Sequence, residues 1–151
     1  MKAADATPSH AQLLEQRLHY PHAGNKPAPG TSLELVPGVR WVRMPLPFAL
    51  DHINLWLLRD QREGPDGVVE GWAVVDCCVA SDQAKQHWQQ VFDTQLDGLP
   101  VLRVIVTHMH PDHVGLAHWL CAHWSTPEHS CELWMSAADH HLACLYSRGR
   151  S

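Results

Sequence analysis

The sequence predicts a mixed α/β domain, an α+β layer in which helices pack on the outer side of one sheet. Three observations lead there. Strand-like segments follow one another between residues 39 and 76 with only short turns between them, which is the pattern of an antiparallel meander. Downstream, apolar strand patterns alternate with amphipathic helical ones, as in β-α units. The segment VLRVIVT, from Val101 to Thr107, is nearly continuously apolar, as expected of a strand covered on both faces.

Taken in order, SHAQLLEQRLH (residues 9–19) predicts a short helix with Leu13, Leu14 and Leu18 on its apolar side. The following YPHAGNKPAPG is rich in proline and glycine and reads as loop. Residues 1–37 are therefore expected to form an N-terminal extension, and residues 38–151 the domain proper. A first strand is predicted from Val39 to Met44, closed by Pro45 and Pro47. A second runs from His52 to about Arg59, and a third is VVEGWAVVD, whose apolar run Trp72 to Val75 ends at Asp76. Ser81 can cap a helix in which Ala84, Trp88, Val91 and Phe92 recur at helical spacing, stopped near Gly98. After the 101–107 strand, VGLAHWLCAHW predicts another helix and CELWMS a last strand. Ser136 can cap a final helix, AADHHLACLY, before the polar SRGRS.

Composition narrows the function classes. With 45% hydrophobic and 18% charged residues in a 151-residue chain, a single globular domain with a real core is expected. The formal charge of −5, from 11 Lys+Arg against 16 Asp+Glu, argues against a nucleic-acid partner, which favours a basic face. No apolar run reaches the length of a membrane span, and MKAADATPSHAQ lacks the hydrophobic segment of a secretory signal. No membrane association and a cytoplasmic location are expected. The five cysteines are odd in number and contain no CxxC pair, so reduced and mostly buried thiols are expected, Cys77-Cys78 included.

The segment that carries chemistry is VTHMHPDHVG, Val106 to Gly115. Following a strand, it lies at the carboxyl edge of the sheet, where function collects in such folds. In extended chain His108 and His110 project to one side and can share a cation. Pro111 holds the preceding residue extended, Asp112 and His113 can face a second cation, and Gly115 lets the backbone pass close beneath. Imidazole and carboxylate donors without thiolate suit zinc, iron or manganese at a catalytic site. Any one of these residues alone would read as a helix cap or a surface histidine; the whole HxHxDH set reads as a metal site.

T-H-M-H-P-D-H-V-G resembles the signature of the metallo-β-lactamase-fold metallohydrolases. HINLWLL at 52–58 is similar to that family's early strand, and AVVD at 73–76 to the strand ending below its metals. The resemblance implies an αββα fold, two divalent metal ions with zinc expected, and His108 and His110 on the first metal. It places Asp112 and His113 on the second, with Asp76 supporting from beneath. It implies a hydrolase in which a water activated by the dinuclear centre attacks a small-molecule ester, thioester, lactone or amide-type substrate, with Asp112 as a proton acceptor.

Two departures matter. Cys78 stands where the family's D-x-G pattern has glycine, so crowding or an unusual backbone angle is expected there. The family's remaining ligands, a third histidine, a bridging aspartate and a last histidine, have no counterpart; His118, His123, His129, His140 and His141 read as structural. The chain thus reads as the N-terminal αβ half of the fold, with Trp41, Trp56 and Trp72 on an uncovered inner face. The alternative is a truncated, catalytically incompetent fragment or a half-domain that needs a partner chain. Its exposed sheet would then pair with a second half or with another copy.

Overall fold

The computed structural model describes residues 9–22, 24–64 and 66–148. Eleven elements follow in chain order among them: α1 (His10–Glu15), β1 (Ser32–Val36), β2 (Val39–Pro45), β3 (His52–Gly64), β4 (Gly67–Val75), α2 (Asp82–Gln95), β5 (Val101–Ile105), α3 (Pro111–Val114), α4 (Ala117–Trp124), β6 (Glu132–Trp134) and α5 (Ala137–Arg148). The strands form one sheet in sequence order. β1 to β4 are antiparallel neighbours, and β4–β5 and β5–β6 are parallel. The expected meander followed by β-α alternation is therefore present. The ends of the expected extension and tail, residues 1–8 and 149–151, lie outside the described residues.

The sheet begins earlier than the expected Val39 strand. Ser32–Val36 pairs with β2 as an edge strand, and the Gln95 side chain on α2 accepts hydrogen bonds from both the Ser32 backbone and its hydroxyl. β3 is also longer than the second predicted strand, because its hairpin with β4 stays paired out to Gly64 and Gly67. α1 is capped by Ser9, whose hydroxyl accepts from the Gln12 N–H and whose own N–H donates to the Gln12 side chain, yet none of the helix residues is buried.

One face of the sheet is packed under helices. Ser81 caps α2 by accepting from the Ala84 N–H, and the stripe of Ala84, Trp88, Val91 and Phe92 is buried as its spacing predicts. These residues, with Leu116, Ala117 and Leu120, cover Val42, Met44, Ile53, Leu55, Leu57, Val74 and Val104. The two buried indoles are satisfied: Trp88 donates to the Cys77 carbonyl at 2.8 Å and Trp72 to the Leu96 carbonyl at 3.0 Å.

The other face is open, and the strand register shows what lies on it. Leu33 pairs with Trp41, Trp41 with Trp56, Trp56 with Val75, Val75 with Ile105 and Ile105 with Trp134. Directly paired residues share a face, so these six apolar side chains form a row across all six strands. The first five are half-buried and Trp134 is exposed. Trp41 and Trp56 thus lie on the open face as expected, and Trp72 does not. It pairs with Arg59, one step out of phase with that row, and is 1% exposed on the helix side with the Arg40 and Arg59 guanidinium groups over its ring.

Candidate metal centre

The site forms where β4 and β5 end side by side. The Asp76 N–H donates to the Ile105 carbonyl and the Val106 N–H to the Trp134 carbonyl. Both strands therefore release their chains at the same edge of the sheet. Asp76 has φ 61°, which turns its carboxylate back under the loop that follows β5. It is the one buried charged side chain among the described residues, and its partners are in place. The Thr107 N–H donates to Oδ1 at 2.8 Å, the Thr107 hydroxyl to Oδ2 at 2.8 Å, and His113 Nδ1 lies 2.8 Å from Oδ2.

Those contacts fix the tautomers of two imidazoles. An ionised carboxylate only accepts, so His113 Nδ1 carries the proton it shares with Asp76 and Nε2 is left bare. The Thr107 hydroxyl spends its own proton on Asp76, so its oxygen accepts from His108 Nδ1 at 3.0 Å. His108 Nε2 is then bare as well. One buried carboxylate, directly and through one hydroxyl, thereby presents two unprotonated ring nitrogens at the surface.

Each bare nitrogen has a neighbouring donor. His108 Nε2 lies 2.9 Å from His110 Nδ1, and His113 Nε2 lies 3.5 Å from Asp112 Oδ2. Two ligands at zinc distances around a tetrahedral ion lie about 3.3 Å apart, so both pairs are spaced to clasp one cation each. Without a cation, a proton on His110 Nδ1 bridges the first pair. No three His, Cys, Asp or Glu side chains converge on one point among the described residues. The loop offers two pairs of side chains of ligand type, while closed protein shells take three or four ligands.

The backbone rigidifies the arrangement. His110 is extended, with ψ 144°, and precedes Pro111 at the first position of α3, as proline demands of its predecessor. The His113 carbonyl accepts from the Cys77 N–H, which ties α3 to the turn after β4. Gly115 has ordinary helical angles, so it is needed for room. A Cβ there would lie 2.4 Å from the Pro111 carbonyl oxygen and 2.8 Å from the Ala80 nitrogen. Cys78 takes φ 71°, the left-handed angle that glycine adopts freely. Its side chain fits in the core at 0% exposure. Burial pushes its thiol up to about 11, with the Asp112 carboxylate adding to the effect. Burial likewise holds the Cys77 thiol protonated well above the usual range. The adjacent pair is therefore inert, as expected of two small core residues.

Two contributors are not legible in the sequence. Thr107 stands there as the last residue of a strand and the first of T-H-M-H-P-D-H-V-G, with no role of its own read from it. Asp139 accepts from the Met109 N–H at 3.2 Å while its other oxygen bonds the Ser136 hydroxyl; the Ser-x-x-Asp spacing marks only a helix start. The later histidines stay out of the centre. His123 stacks near Phe92, with ring centroids 4.8 Å apart, and His129 bonds the Thr126 hydroxyl. A cleft of about 890 Å³ lies at the far end of the sheet, between the β3–β4 hairpin end, Glu63 and Val68 included, and His129, Ser130 and Glu132.

Residues 49–150 match the family model described as the metallo-beta-lactamase superfamily. Among solved structures, a beta-lactamase domain protein from Burkholderia ambifaria is 53% identical with a TM-score of 0.81, over 90% of this chain and 38% of its own. A metallo-beta-lactamase family protein from Thermus thermophilus is 27% identical with a TM-score of 0.41, over 58% of this chain and 27% of its own. A metallo-beta-lactamase from Hirschia baltica is 18% identical with a TM-score of 0.49, over 78% and 48%. No curated protein matches. The chain spans well under half the length of the Burkholderia protein.

Proposed function

The chain belongs to the metallo-beta-lactamase superfamily, and on that premise we propose that it carries the metal-binding loop of a dinuclear hydrolase. Membership of a largely hydrolytic superfamily supports the reaction type. The observation that carries the finer reading is the pair of two-ligand clasps, His108 with His110 and Asp112 with His113, steadied by Asp76. Two divalent ions would be held there, and zinc suits the nitrogen-rich donor set, with iron or manganese also compatible. When bound, they supply positive charge that acidifies water and offsets negative charge developing on the substrate oxygen.

The chain's own residues have separate tasks. Asp76 keeps the His113 proton on Nδ1 and away from the face where substrate chemistry occurs. Thr107 does the same for His108. Asp112, held by the first turn of α3, accepts the proton of the attacking water. The substrate class is a small molecule with an electrophilic carbonyl, such as an ester, thioester, lactone or amide. A nucleic-acid substrate is disfavoured by the formal charge of −5. No described helix is long and apolar enough to cross a membrane, and five free cysteines suit a reducing cytoplasm.

The open face favours a completing half. Its six-residue apolar row ends beside the metal loop, so a second sheet laid on that row would bring further ligands to the same edge. We assign that role to a second half-domain, with a second copy of this chain as the competitor. The test is metal content by elemental analysis. The chain co-purified with the remainder of a full-length relative should hold two ions, and Asp112→Ala should lose the second. Equal metal in the Asp112→Ala variant would refute the assignment, and a metal-loaded homodimer of this chain would favour the competitor.

A further inference from the structure

We propose that Cys121 and Cys131 form a thiol–disulfide exchange site that takes a low-molecular-weight disulfide and closes into an internal cross-link. Cys121 lies in the last turns of α4, and Cys131 immediately precedes β6. One hydroxyl joins their backbones: Ser125 Oγ donates to the Cys121 carbonyl at 2.7 Å and accepts from the Cys131 N–H at 2.9 Å. Ser125 also closes α4 through its own N–H to the same carbonyl. The two side chains are neighbours, each the foremost influence on the other's thiol. They differ in access, since Cys121 is half-exposed and Cys131 is 6% exposed.

That asymmetry assigns the roles. Cys121 is the sulfur a solvent-borne disulfide reaches first, and the neighbouring Cys121 thiol together with burial keeps Cys131 protonated until the second step. The accessible Cys121 thiolate attacks the small disulfide, forming a mixed disulfide and releasing one thiol. Cys131 then attacks the Cys121 sulfur, giving up its proton, and expels the second thiol. Two protein thiols are oxidised by two electrons, and one small disulfide is reduced to two thiols. No other pair has this arrangement among the described cysteines. Cys77 and Cys78 are fully buried, and Cys144 stands alone on α5 beside His140.

The cross-link would tie the end of α4 to the start of β6. β6 holds Val106 in place, and α5 after it holds Met109 through Asp139, so the staple stiffens the outer flank of the metal loop. The test uses the intact chain in reduced and oxidised glutathione buffers, followed by alkylation and non-reducing peptide mapping. Oxidation should hide two of the five thiols, link Cys121 to Cys131, and raise Tm by several degrees. Cys131→Ser should trap the mixed disulfide on Cys121, Cys121→Ser should leave Cys131 unmodified, and Cys144→Ser should behave as wild type. Five alkylatable thiols after oxidation, or a linkage through any other cysteine, would overturn the proposal.

Discussion

The two faces of the sheet are made by the same strands and carry similar side chains, yet they end in different states. On the helix side, Leu57, Val74 and Val104 are register partners and none is exposed. One residue along, Trp56, Val75 and Ile105 are also register partners, and all three keep solvent contact. Hydrophobicity does not separate them, because the open row contains the larger side chains. What separates them is whether another layer exists to lie on them. Each strand is therefore built for two coverings, and the described chain supplies one.

The comparison can be broken or sharpened by substitution. Trp88→Ala removes the fully buried tryptophan of the helix layer together with its bond to Cys77, and should cost about 3–5 kcal/mol in urea unfolding. Asp76→Ala acts at the seam between the faces. It frees the tautomer of His113 and should weaken metal affinity about 10–100-fold, read by competition with a chromophoric chelator. In the same seam, Cys78→Gly should be more stable than Cys78→Ala by about 0.5–1 kcal/mol, because only glycine adopts φ 71° without strain. The smallest effect is expected from Trp56→Ala, within ~1 kcal/mol in this chain alone. That last value should grow to the cost of a core truncation once the open face is covered. A large loss in the isolated chain would mean that the face is already buried, for instance by self-association.

Where periodicity and turn chemistry are strong, the fold is legible. The α2 stripe, the meander and the strand entering the HxHxDH loop all stand where their patterns put them. Ser32–Val36 escapes a sequence reading because it is short, follows a proline- and glycine-rich stretch, and is held by Gln95 from far along the chain. Trp72 is misplaced because Trp72 to Val75 is apolar at every position, so alternation carries no information about facing. At the site, the HxHxDH residues can be named from type and spacing, and Asp76 from the resemblance of AVVD to the family's strand. Thr107 and Asp139 cannot, because their roles exist only once β4, β5 and α5 meet.

The β3–β4 hairpin, paired from Trp56 and Val75 out to Gly64 and Gly67, also sets an order of events. Its contacts are local in sequence and need no crossover, so it can close within microseconds, whereas the parallel additions of β5 and β6 wait for α2 and α4 to be threaded over the sheet. During synthesis the hairpin would be a finished edge before the histidines leave the ribosome. The HxHxDH loop is then added to a hairpin whose last paired residue, Val75, directly precedes Asp76. Pulsed hydrogen exchange should show β3 and β4 amides protected well before those of Thr107 and His113.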